Sequence, residues 1–201
     1  MAMRKTGLER REDIISATAD ILLAKGLAAA TTRDVTGRLG VGAGLLSHYF
    51  TWAELRALAF ERIVRTDLQL SLDAQSTESA QRVRDDLISG AFGENADPVW
   101  RVWIEASDLA SSDAILAESV ARCTDLWRQG LARLLERGSN EGDWLCDDPD
   151  GASWRLLALF DGLVGFVMIP NSKLTRGSAT KHLAVAMAHE LSTPGPVSNA
   201  T

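Results

Sequence analysis

The chain has 201 residues, 46% of them hydrophobic, and a net charge of −6, which supplies a real core and excludes a disordered polymer. Five prolines, none before position 98, together with abundant alanine and leucine, point to an all-α fold. Cys123 and Cys146 lie 23 residues apart with no CxxC spacing, which argues against a zinc site or disulfide framework, and the charged start through Arg4, Lys5, Glu9 and Arg10 has no signal-peptide core; a reducing cytoplasm is the expected location.

Apolar and semi-apolar residues at Ile14, Ile15, Thr18, Ile21 and Leu22 mark one face of a first helix from Arg11 to Lys25, stopped by Gly26. Thr31-Thr32-Arg33-Asp34 then sets a hydroxyl three residues before a carboxylate, a capping box that opens a short second helix. Gly40-Val41-Gly42 breaks that helix. A third follows, with Leu45/Tyr49 and Leu46/Phe50 paired at i, i+4. Two short helices joined by a glycine turn and preceded by a longer one have the layout of a DNA-reading helix-turn-helix. The charge split permits this: residues 1–66 hold 10 Lys/Arg against 7 Asp/Glu, and residues 67–201 hold 11 against 20.

The remainder reads as a helical bundle, giving about nine helices in all. A fourth helix is expected from about Ala53 to Asp73 and a fifth from Glu78 to Phe92; Asp97-Pro98 supplies the cap and first-turn proline of a sixth. Ser111 or Ser112 caps a seventh ending at Gly138. The eighth, Ala152 to Ile169, is apolar nearly all round yet carries Arg155 and Asp161, and is expected to be buried, not membrane-spanning. Ser178 caps a ninth. Residues 1–52 are thus expected to form the helix-turn-helix domain, 53–191 a ligand-binding and dimerisation domain, and 192–201 a disordered tail.

Arg11, Ile14-Ile15, Ala17, Gly26, Thr31-Thr32, Val35, Gly40-Val41, Gly44, Tyr49-Phe50 and Glu54-Leu55 together resemble the N-terminal signature of the TetR family of regulators. The stretch from Gly44 to Phe50 is further similar to the subgroup that includes choline-responsive repressors. Two positions depart from the family pattern: Ala53 stands where a phosphate-contacting lysine is usual, and Gly42 where a serine commonly caps the recognition helix.

The resemblance implies a homodimeric repressor that binds a double-stranded, pseudo-palindromic operator and is released by a small-molecule inducer. On the DNA side, Thr31, Thr32 and Arg33 are placed for phosphates, and Ala43, Gly44, Ser47, His48 and Tyr49 nearer the groove. His48 could instead be merely exposed, and Tyr49 a ring locking the third helix to the fourth. By the family plan, Trp100, Trp103, Cys123, Trp127 and Phe166 lie where the inducer pocket forms. With Glu105 or Asp108, the aromatics could cage a cationic ligand, or they could simply be core.

A helix apolar on every side needs covering on every side, so Leu159, Gly162, Leu163 and Phe166, with Leu183 and Met187 of the ninth helix, are expected at a dimer interface. No cofactor, metal or membrane partner is implied. No HExxH, phosphate loop or other catalytic constellation is present, so an enzyme is not expected. The alternative carried is a TetR-like ligand-binding or protein-interaction module without sequence-specific DNA binding.

Overall fold

A computed structural model describes residues 6–73 and 77–192. Among them are nine α-helices: α1 (Gly7–Lys25), α2 (Thr32–Leu39), α3 (Ala43–Tyr49), α4 (Trp52–Leu68), α5 (Ala80–Gly90), α6 (Asp97–Leu109), α7 (Ala114–Glu141), α8 (Pro149–Met168) and α9 (Arg176–Glu190). A π-helical turn, Gln69–Asp73, follows α4, and a 3-10 turn, Glu94–Ala96, leads into α6. The only strand-like pairing among these residues is an isolated antiparallel bridge between Leu145 and Ser192. The expected tail beyond Ser192 lies outside the described residues.

The helices begin where a side chain satisfies the first free N–H groups, and in several cases this is not the residue the sequence suggests. Helix α1 starts earlier than Arg11, because Thr6 and Glu9 form a capping box. The N-terminus of α7 is held by Asp113, whose Oδ1 accepts from the Leu116 N–H at 3.1 Å. The hydroxyls of Ser111 and Ser112 instead donate back to the carbonyls of Asp108 and Leu109. Asp148 caps α8, placing Pro149 in its first turn, and Thr175 rather than Ser178 caps α9.

The described chain forms two compact units. The first comprises residues up to Asp67 together with Pro98–Cys123; the second comprises Leu68–Asp97 and the residues from Thr124 onward. Helix α7 contributes its first part to one and its second part to the other.

In the first unit, Ile14, Leu22, Leu27, Val35, Leu55 and Phe60 are fully buried, so the helix-turn-helix shares one core with α4. Polar ties from α6 reinforce it. Arg101 donates to the Leu23 carbonyl at 2.6 Å, and the Glu105 carboxylate accepts from the Ala28 N–H at 2.8 Å. Gly26, at φ 88° and ψ 164°, lies in a region essentially reserved for glycine, and a Cβ there would stand 2.7 Å from Glu105 Oε1.

In the second unit, Val83, Leu135, Trp144, Ala152, Leu156 and Ala179 are buried. A bidentate Arg155–Glu190 pair, at 2.7 and 2.6 Å, joins α8 to α9, and Arg176 binds both oxygens of Asp97 at 2.8 and 2.7 Å. Gly138 does not end α7. The helix runs on to Glu141, and a Cβ at Gly138 would overlap the Trp144 indole, whose Nε1 donates to the Leu135 carbonyl at 2.9 Å.

Helix α8 is long and apolar enough to cross a membrane by length and composition, with a mean hydropathy of 1.3. Contrary to the expectation of a buried helix, only 33% of that stretch is buried, and Trp154 and Phe166 are 50% and 59% exposed.

Candidate functional site

The helix-turn-helix is built from two short helices that bury little of themselves. Only Val35 of α2 and Leu46 of α3 are buried, with Phe50 just beyond α3 closing the core beneath them. Gly40 at φ 65° ends α2 in the left-handed conformation and turns the chain toward α3. At the start of α2, the Thr31 hydroxyl accepts from the Asp34 N–H at 3.3 Å, and the Thr31 N–H donates to Asp34 Oδ2 at 2.9 Å. The Lys25 ammonium beside Asp34, and then the Thr31 hydrogen bonds, hold that carboxyl down at about 2. Helix α3 has no side-chain cap, as Gly42 implied.

Thr31, Thr32, Arg33, Ala43, Gly44, Ser47 and His48 are all exposed, whereas Tyr49 is half-buried. The Ser47 hydroxyl lies 3.3 Å from the Gly44 carbonyl, and the rings of His48 and Tyr49 meet edge to face at 5.1 Å. Arg11 donates to the Tyr49 carbonyl at 3.1 Å and lies 4.2 Å over the Phe50 ring, pinning the C-terminal end of α3 to α1.

The five residues expected around an inducer divide between the two units. Trp100, Trp103 and Cys123 belong to the first unit: the Trp103 ring packs against Phe60 at 5.1 Å, tilted by 38°, Trp100 is buried, and burial pushes the Cys123 thiol up to about 12. The Glu105 carboxylate accepts from the Ala28 N–H at 2.8 Å. Phe166 points to solvent. Trp127 lines a cavity of about 30 Å³ inside the second unit.

That cavity has a simple construction. Trp127 and Leu131 of α7, Leu156 and Phe160 of α8, and Leu183 and Met187 of α9 are three i, i+4 pairs facing one void, completed by Leu87 and Leu157. The pairs are visible in the sequence, but nothing local distinguishes a pair that lines a void from one that fills a core.

The expected dimer residues also divide. Leu163, Leu183 and Met187 are 7%, 4% and 2% exposed and are spent on the subunit's own interior, so they have almost no surface for a partner. Leu159 is half-buried, while Gly162 and Phe166 are exposed. Trp154 of α8, Ile169 just beyond it and Val185 of α9, which were not anticipated, join them as exposed large apolar side chains.

Residues 14–51 match the family described as bacterial regulatory proteins, tetR family, and residues 77–192 match the family described as BetI-type transcriptional repressor, C-terminal. No curated protein matches the chain. Among solved structures, one from Rhodococcus sp. described as a TetR-family transcriptional regulator aligns with a TM-score of 0.76 at 23% identity, covering 92% of this chain and 100% of the other. A TetR-family regulator from Cytophaga hutchinsonii aligns with a TM-score of 0.75 at 15% identity, over 95% and 100% of the two chains. A structure from Saccharomonospora viridis, described as a transcriptional regulator in complex with choline, aligns with a TM-score of 0.69 at 19% identity, over 92% and 98%. At these identities the structural likeness establishes the fold.

Proposed function

The chain belongs to the TetR family of bacterial regulatory proteins, with a C-terminal domain of the BetI type, and from that premise we propose a cytoplasmic, homodimeric repressor released from a pseudo-palindromic operator by a small-molecule inducer. The observation that carries the DNA-binding part is the exposed α2–α3 surface. Thr31, Thr32 and Arg33 are exposed at the N-terminus of α2, and Ala43, Gly44, Ser47 and His48 on α3, while Val35, Leu46 and Phe50 anchor both helices from below.

Phosphates are met by the Thr32 hydroxyl, Arg33 and the positive N-terminal end of α2; these contacts set register without reading sequence. Small Ala43 and Gly44 let the backbone of α3 approach base edges, and Ser47 and His48 carry the donors and acceptors that discriminate between them. Thr31 is committed to its capping box, so its contribution is to fix the helix end. Tyr49, half-buried and held through its carbonyl by Arg11, orients α3 more than it reaches the groove.

A second copy covers the exposed apolar face of α8 and α9, where Leu159, Gly162 and Phe166 are flanked by Trp154, Ile169 and Val185. A Cβ at Gly162 or Gly165 would meet nothing within 4 Å in the subunit, which leaves that strip open to close helix approach. Two-fold symmetry through this face pairs the recognition helices and calls for a pseudo-palindromic site. An inducer bound in the C-terminal domain favours a state in which the paired helices no longer match successive grooves, and DNA must weaken inducer binding by the same factor.

Selection of the purified protein against random duplexes at moderate and high salt, with stoichiometry recorded, tests this reading. Enrichment of a pseudo-palindrome bound by a dimer, lost steeply as salt rises, is the expected result. Ala53 in place of the family lysine favours the second reading, a ligand-binding or protein-interaction module without sequence-specific DNA binding, and absence of enrichment would sink the DNA-reading claim and leave that module standing.

A further inference from the structure

We propose that the cleft between α4, the C-terminal end of α3 and the start of α7 is a ligand site in its own right, one that takes a free α-amino acid with a short aliphatic side chain. It is separate from the inducer of the reading above, and its walls all belong to the first unit.

The cleft measures about 250 Å³, room for a small metabolite. Its floor is one face of α4, where Glu54, Ala57, Leu58 and Glu61 follow one another at i, i+3, i+4 and i+7. Its charged groups are two arginines and two glutamates, so the lining is neutral as a whole and presents both signs. A ligand of one sign gains at one of them and loses at the other, whereas a zwitterion gains at both.

Arg11 and Glu54 seat the head, and both are held in place before it arrives. Arg11 lies 4.2 Å over the Phe50 ring and spends one N–H on the Tyr49 carbonyl at 3.1 Å, which leaves further donors for a carboxylate. Glu54 receives the Thr51 N–H and the Thr51 hydroxyl on one oxygen, Oε2, both at 2.8 Å, and Oε1 is left to accept from an ammonium. The Thr51 hydrogen bonds, and after them the charge of Arg11, lower the Glu54 carboxyl, so it is ionised at neutral pH. Partners fixed in this way save the ordering cost that mobile surface charges impose on binding.

The far end of the cleft has no use for a further charge. Glu61 Oε1 accepts from the Ser119 hydroxyl at 2.7 Å and from Arg122 Nη2 at 2.5 Å, so that pair neutralises itself. Between the two ends, about 10 Å apart along α4, Ala57, Leu58 and Ile115 form an apolar strip, and Ile115 is 42% exposed. An aliphatic side chain covers that strip. Tyr49, the last residue of α3, is part of the wall, so the occupant touches that helix.

The test uses the full-length protein with fluorotyrosine incorporated at Tyr49, the one tyrosine of the chain, so that a single fluorine resonance reports the cleft. L-leucine is expected to shift that resonance and saturate it with a Kd of about 1 mM or tighter. Isocaproate, which lacks the ammonium, and isoamylamine, which lacks the carboxylate, should each bind at least tenfold more weakly at equal ionic strength. Glu54→Gln keeps the Thr51 hydrogen bonds through its amide oxygen and loses the charge, so leucine binding should fall at least tenfold with an unchanged circular-dichroism spectrum. Ile115→Trp, which fills the middle of the cleft from an exposed position, replaces it if that variant does not fold. A resonance that leucine leaves unmoved, either analogue binding within tenfold of leucine, or a folded variant that binds leucine as the parent does, overturns the proposal.

Discussion

Gly138 shows how a residue type can mislead until its neighbours are known. In sequence it stops a helix; in the structure it sits inside α7, and its missing side chain makes room for the buried indole of Trp144. Gly138→Ala removes that room with no flexible neighbour to yield, so a loss of about 2–3 kcal/mol is expected by urea denaturation, at the upper end of overpacking penalties. Asp67 behaves in the opposite sense to the paired carboxylates, because burial pushes its carboxyl up to about 6. The native state therefore holds this proton more tightly than the unfolded chain, and stability from this group is present below pH 4 and lost as pH rises toward 6. Asp67→Asn should flatten that part of the curve of urea midpoint against pH, and a profile unchanged from the parent would refute the assignment.

Among the elements, α2 has the clearest link from sequence to function. Its eight residues bury one side chain, so its position depends on the capping box at Thr31 and on the left-handed turn at Gly40. Thr31→Ala is expected to cost about 1 kcal/mol. It should also let the Asp34 carboxyl rise from about 2 toward its ordinary 3.8, read by NMR titration, although the Lys25 contact will retain part of the depression. Because the Asp34 value is lowered by folding, its contribution is present above pH 4 and lost as pH falls toward 2, the reverse of Asp67. The capping box and the apolar pairs of α3 were legible in the sequence because both are local. The caps of α7 and α9 were misassigned because several Asp, Ser and Thr residues compete within a few positions, and backbone direction decides which one folds back on the helix.

For the whole molecule, the question is which apolar surface belongs to the subunit's interior and which to the proposed two-fold interface. Phe166 is 59% exposed, so Phe166→Glu removes little from the fold of one chain. The same change puts a charge into the proposed two-fold interface and a second one opposite it. Sedimentation should then show a monomer with an unchanged helical spectrum, and operator affinity should fall at least tenfold because only one half-site is held. A dimer that persists in this variant would remove the α8–α9 face from consideration. Leu183→Ala makes the complementary point: at 4% exposure it belongs to the interior, and its loss should lower Tm without dissociating the dimer.

The sequence by itself determined the fold class, the helix-turn-helix and the family, because helical period, capping boxes and glycine stops are encoded within a few residues and the family pattern fixes residue types across three helices. It also presented the exposed DNA-facing candidates on α2 and α3, since a short helix with one buried residue leaves the others outside. Tertiary structure alone decided that Glu105 holds the α1–α2 link, that Trp127 borders the cavity of the second unit, and that Leu163, Leu183 and Met187 face inward while Trp154, Phe166 and Val185 face out. An apolar residue on a helix states only that it must be covered; which neighbour covers it depends on contacts between segments far apart in the chain, and no local pattern carries that information.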